Sequence, residues 1–282
     1  GCLGAMVAAA AEPGSAQQGA DARARHALFD RQWQTTAERV PEWATYNGDH
    51  RFDDRLADMS EAAIAERDAL ARQWLAEAQA IAAEHLSPTD RVSREMFIGA
   101  REREVAMQPF TGWRSLRVGG LFGAQAGLAE LLRVTPTTMV AQAEQLLARL
   151  AQVPRRMAQE IALMRQGMAL GWVPARDVLQ RVLQQIDAQI GPAAEDGPFW
   201  APFQRQGADI PAEERARLQA EGLQALEQQV LPAMRALRRF IVDEYLPQAP
   251  ASGALGRYPD GERVYERLVR DQTTTDYRSE EH

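Results

Sequence analysis

Along most of this chain apolar residues recur three or four positions apart, the period of α-helices with one inward face. The longest such line is Leu223, Leu226, Val230, Met234, Leu237, Ile241 and Tyr245. It predicts a helix of more than thirty residues, from Pro211 to the Glu-Tyr-Leu-Pro closing at Pro247. Pro232 lies inside it, so a kink or break is expected there. A helix of that length serves as a spine on which shorter elements pack.

The same period recurs upstream. Phe29, Trp33 and Val40 mark a first helix from Ala20 to Val40, ended by Pro41. A loop dense in turn formers and paired charges comes next, from Trp43 to Leu56. Ser60 is placed to cap a helix whose Ile64, Leu70, Trp74, Ala78 and Ile81 keep one face apolar. Ser87-Pro88-Thr89-Asp90 opens another, with proline at its first position and acid in its first turn, running towards Met107. Residues 110–133 read as the least helical part, because Val118 to Gly127 is glycine-dense. Thr135-Pro136 reads as the cap of a helix carrying Val140, Ala143, Leu147 and Leu150. Met157, Ile161, Met164 and Met168 continue the period after Pro154, and Val178, Val182, Ile186 and Ile190 after Val173-Pro174. Short joints make neighbouring helices antiparallel. The fold expected is mostly α: a multi-helix antiparallel array with a long C-terminal spine helix.

Composition narrows the setting. The 282 residues allow one or two domains. All 32 basic residues are arginine, an Arg- and Ala-rich bias of GC-rich bacterial coding. A net charge of −7 argues against a nucleic-acid partner. No window reaches the length of a transmembrane span. The single cysteine, Cys2, excludes an internal disulfide framework. Its surroundings, Gly1-Cys2-Leu3-Gly4-Ala5 and the alanines after them, resemble the end of a secretory signal, or a lipobox in which Cys2 carries a lipid; a vector remnant or tail is the bland alternative. Residues 1–19 are therefore expected to be an export leader or flexible linker, and 20–282 a helical lobe. Both export readings place the protein outside the cytoplasm. Ser279-Glu280-Glu281 has the form of a helix start, so the polypeptide is expected to continue.

Chemistry-bearing motifs are sparse. The histidines are His26, His50, His85 and His282, none four apart, and no His-Glu-x-x-His occurs. No metal site is expected in this chain. Asp49 to Arg55 is the densest polar cluster. Either Asp53 or Asp54 is a carboxylate poised by arginine, or the segment is a surface loop tied by Arg–Asp bridges, the reading that exposed pairs favour. Glycines 119, 120, 123 and 127 lack the spacing of a dinucleotide fingerprint and suit close backbone packing or a loop beside a cleft. No Gly-x-Ser-x-Gly elbow is present. The methionines at 157, 164 and 168 read as core. Thr273, Thr274 and Thr275 suggest an extended segment whose hydroxyls bind substrate or cap the next element of the chain.

Several segments together resemble a bacterial family. They are Tyr46 to Leu56, Arg165 to Pro174, Ala201-Pro-Phe203, Val230 to Met234, Asp243 to Pro247, Tyr258-Pro-Asp-Gly261, Tyr265 and Thr273 to Thr275. In order and spacing they resemble the N-terminal half of the "domain of unknown function 885" family, often exported lipoproteins or periplasmic proteins, over about residues 20–282. The resemblance implies a two-lobed, gluzincin-like zinc metallopeptidase, with this chain as its helical N-terminal lobe. Its zinc motif would lie downstream, so the lobe alone is expected to be inactive and to hold no cofactor. The tail would line a peptide channel through Tyr258, Tyr265, Thr273 and Thr274; if one helix runs through both tyrosines, they share a side. Packing of the tyrosines on the spine near Phe240 and Tyr245 is the alternative. For the whole chain the alternative is a free-standing, non-catalytic periplasmic module that binds a peptide or protein partner.

Overall fold

The computed structural model describes residues 13–191 and 193–273, and among them the regular elements are helical. In chain order they are α1 (Pro13–Arg39), α2 (Pro41–Tyr46), α3 (Glu61–Ala80), α4 (Pro88–Met107), α5 (Thr111–Arg114), α6 (Ala124–Val134), α7 (Val140–Leu150), α8 (Val153–Ala169), α9 (Arg176–Ile190), α10 (Ala201–Gln204), α11 (Ala212–Ala225), α12 (Leu231–Phe240) and α13 (Gly261–Thr273). The only β-type pairing among the described residues is an isolated bridge between Val118 and Gly123.

The chain divides into two units. The first comprises residues 13–35 and 65–107. Its core is Leu28, Trp74, Ala78, Ile81, Leu86 and Ile98, with Phe29 stacked on Phe97 at 4.6 Å. Arg25 is buried there, ion-paired with Asp90 and lying over the Phe29 ring. Ser87 caps α4 as its sequence indicates, accepting from the Asp90 amide at 3.2 Å and donating to the Asp90 carboxylate at 2.9 Å.

The second unit, residues 36–64 and 108–273, is built on the spine. Helical geometry continues from Ala212 to Gln248, but not as one α-helix. Leu226–Val230 and Ile241–Tyr245 are π-turns. Each ends two residues before a proline, Pro232 and Pro247, in the related stretches Val230-Leu-Pro and Tyr245-Leu-Pro. A proline offers no amide to the carbonyl four residues back, and its ring crowds that carbonyl. The wider turn before it relieves the crowding, so the expected interruption takes the form of a register change. Leu226, Val230, Met234, Leu237, Ile241 and Tyr245 are fully buried. They share a core with Met157, Ile161 and Met164 of α8 and with Leu179, Val182 and Ile186 of α9.

Two sequence readings need correction. The stretch read as least helical contains α6, whose buried Gln125, Leu128, Leu131 and Leu132 define a helical face. The glycines misled because three of them precede the helix, while Gly127 sits in it facing open space, at a cost of about 1 kcal/mol relative to alanine that the buried leucines outweigh. Thr135 closes α6 instead of opening α7. Its hydroxyl donates to the Leu131 carbonyl at 2.8 Å, and α7 starts after Met139, where Gln142 Oε1 accepts from the Thr138 and Met139 amides.

Candidate functional site

The polar cluster at 49–55 is organised from a distance. Asp49 accepts from the Arg51 amide and opens a short 3₁₀ turn, His50–Phe52, which turns the Asp53 side chain inward. Asp53 is buried and pairs with Arg149 of α7 at 3.1 Å. Its Oδ1 also accepts from the Thr45 hydroxyl at 2.5 Å, and its Oδ2 faces His50 Nδ1 at 2.9 Å. Arg149 is wholly buried. It donates through Nε to the Arg55 carbonyl, through Nη1 to the Thr135 hydroxyl, and through Nη2 to Thr45, the Phe52 carbonyl and Asp53. Burial pulls the Arg149 pKa down, and Asp53 opposes that pull. The surface-loop reading therefore fails at Asp53, whose arginine comes from another helix. The reading as a poised catalytic carboxylate gains nothing either. Both carboxylate oxygens are occupied by protein donors, and the guanidinium spends its N–H groups on protein oxygens. Chemically the cluster is a staple that fastens the loop to α7.

A second buried network lies on α8. Glu160 receives Arg117 at 2.5 and 3.1 Å and Arg156 at 2.8 Å, and Arg156 reaches on to Glu42 at 2.7 Å. Burial raises the Glu160 pKa, but Arg117 and then Arg156 outweigh it and hold the carboxyl below its ordinary value. Glu42 in turn accepts the Ala57 amide. Neither Arg149 nor Glu160 stood out in the sequence. The available signal was placement: each occupies an apolar stripe, Arg149 beside Leu146 and Leu150, Glu160 beside Met157, Ile161 and Met164.

The tail residues separate. Tyr258 is 7% exposed, stacked on Trp172 at 4.6 Å, and its hydroxyl donates to the Val173 carbonyl at 2.8 Å. Burial raises its pKa. Gly112 also lies against Trp172, where a Cβ would come within 2.0 Å of the indole. Val264 completes this aromatic core around Tyr258 and Trp172, while Phe240 and Tyr245 stack on each other at 5.4 Å. Because α13 begins only at Gly261, no helix runs through both tyrosines, and Tyr265 is 41% exposed. Thr273 is the last residue of α13, not part of an extended segment; its hydroxyl returns to the Val269 carbonyl at 2.8 Å. Thr274 and Cys2 lie outside the described residues.

The glycine-dense loop is a built turn. The Val118–Gly123 bridge closes it, and the Ala124 amide donates to the Arg117 carbonyl at 2.8 Å. Gln125, fully buried, donates to the Gly119 carbonyl at 2.6 Å, and Gln185 of α9 to the Gly120 carbonyl at 2.9 Å. Gly123 has φ +142°, and a Cβ there would lie 2.8 Å from the Arg117 carbonyl oxygen. At the tip stand Leu121 and Phe122, 82% and 84% exposed.

Among the described residues no three His, Cys, Asp or Glu side chains gather in a metal-binding group, and no helix is long and apolar enough to cross a membrane. A family model described as "Bacterial protein of unknown function (DUF885)" matches residues 41–282. Among solved structures, the chain is similar to that titled "the putative lipoprotein from Colwellia psychrerythraea", with TM-score 0.80 and 14% identity. The match covers 94% of this chain and 47% of that one, so the chain spans about half the length of that structure. No curated protein matches the chain.

Proposed function

Since the chain belongs to the DUF885 family of bacterial proteins, we propose that it is the helical N-terminal lobe of an exported, peptidase-like protein. In this reading the lobe forms one wall of a peptide-binding channel, and the zinc site lies in sequence beyond these residues. One observation carries it: almost the whole chain superposes on about half of a longer helical protein. Internal use of the polar clusters supports the same reading, because Asp53, Arg149 and Glu160 are spent on holding the lobe in shape. None of the described residues is assigned a catalytic step in this reading. Cys2 would carry a thioether-linked lipid, which accords with the lipoprotein title of the similar structure.

The test uses the native gene product beside the 282-residue chain. Metal analysis should find one zinc per full-length polypeptide and none on the shorter chain. A panel of fluorogenic peptides should be cleaved only by the full-length protein, and not after chelation. One zinc held tightly by the 282 residues alone overturns the reading. A folded full-length protein without zinc or hydrolysis leaves the non-catalytic, peptide-binding module in its place. For the anchor, the mass of the membrane-extracted protein should include a diacylglyceryl group on Cys2.

A further inference from the structure

The Leu121–Phe122 tip is the feature that the folded lobe leaves unexplained. Two large apolar side chains project almost wholly into solvent from adjacent positions. Their burial would be worth about 1.5–3 kcal/mol each by ordinary transfer free energies, so their display is costly unless something covers them. The display is not the accident of a slack loop. A buried glutamine, a second glutamine from α9 and the Val118–Gly123 bridge hold the backbone beneath it, and Gly123 adopts a conformation that a side chain would strain. A rigid turn offering adjacent Leu and Phe has the make-up of an interface anchor: little ordering entropy to lose, and an aromatic to fill a pocket.

We propose that Leu121 and Phe122 insert into an apolar pocket of the second half of the same full-length polypeptide, fastening the two lobes. This rests on the proposed two-lobed architecture. The occupant is chosen by length: the similar solved structure carries about as much chain again as this lobe, and 53% of it has no counterpart here (100 − 47). A lipid surface is disfavoured by the acidic balance of the chain, net −7, since anionic headgroups would repel it.

Hydroxyl-radical footprinting of the native full-length protein tests this, with internal references. Phe203 is fully buried in this lobe and Tyr46 is 49% exposed. After correction for intrinsic reactivity, Phe122 should be protected to nearly the degree of Phe203, at least tenfold more than Tyr46, and equally at high and low protein concentration. Phe122→Ser should lower the midpoint of thermal unfolding by several degrees. Phe122 labelling like Tyr46, with an unchanged midpoint in the serine variant, overturns the inference while leaving the two-lobed reading intact. Protection that disappears on dilution assigns the anchor to a second copy and overturns it too. A native polypeptide whose intact mass ends near residue 282 removes the second half, and the architecture and the inference fall together.

Discussion

Arg149 and Asp53, 96 positions apart in sequence, meet at 3.1 Å with the guanidinium entirely buried. A buried pair of this kind has an asymmetric energetic signature. Its net worth is small because both charges lost their hydration, yet stranding one partner is severe. Asp53→Ala should therefore cost about 3–5 kcal/mol in urea unfolding. The double replacement Asp53→Leu with Arg149→Met should recover at least half of that loss. A double variant as unstable as the single one would show that the surrounding hydrogen bonds, not the stranded charge, set the cost.

Glu160 gives the lobe an acid limit. Its folded pKa lies below the ordinary carboxylate value of 4.5, because Arg117 and Arg156 outweigh burial. Its unfolded pKa is the ordinary one, so the contribution is complete above about 4.5 and is lost as pH falls through the folded pKa. The stability difference between the wild type and Glu160→Gln should be largest near neutrality and shrink on acidification below that value. A difference independent of pH would remove Glu160 from the account.

On the spine, Leu237 is fully buried and Arg235, two positions earlier, is exposed. Leu237→Ala should cost about 2–5 kcal/mol as a buried truncation. Arg235→Ala should stay within about 0.5 kcal/mol. Similar effects at the two positions would reject the assigned face.

The tail tyrosines should behave oppositely when each loses its hydroxyl. Tyr258→Phe leaves the Val173 carbonyl without its donor and should cost about 1 kcal/mol. Tyr265→Phe should cost less than about 0.5 kcal/mol, the range of an exposed change. Peptide turnover of the full-length protein, measured alongside, separates packing from a channel role: turnover lost in Tyr265→Phe at unchanged stability places that ring on the substrate path.

How far the sequence spoke depends on the range of the interactions. The spine, the Ser87 cap and the methionine core were legible, because helical period and capping are local properties of neighbouring residues. Helix α6 was hidden because glycine density outweighed a face set by only four buried residues, one of them Gln125. The Arg149 staple was illegible in a different way. Its acceptors come from Thr45, Phe52, Asp53, Arg55 and Thr135, segments that chain folding alone brings together. A charged residue on an apolar stripe announced that some partner existed, but nothing local named it. At the tail, the spacing of Tyr258 and Tyr265 suggested a shared face only for an unbroken helix, and the start of α13 at Gly261 dissolved that relation.

The two π-turns of the spine bear on how its length can change during evolution. Each carries one more residue per hydrogen-bonded turn than an α-helix, in effect an inserted residue that the helix accommodates. Deleting one residue from Leu226–Val230 would restore an ordinary turn and leave helical geometry on both sides. Because the wide turn already absorbs the extra residue, everything downstream would keep its phase relative to α8 and α9. Met234, Leu237 and Ile241 would stay in the seam, whereas the same deletion within α12 would turn everything beyond it by about 100°. The wide turns are thus where the spine can lose a residue without a change of phase: shortened within Leu226–Val230 it would keep its cooperative unfolding, and shortened within α12 it would keep its circular dichroism while losing that cooperativity.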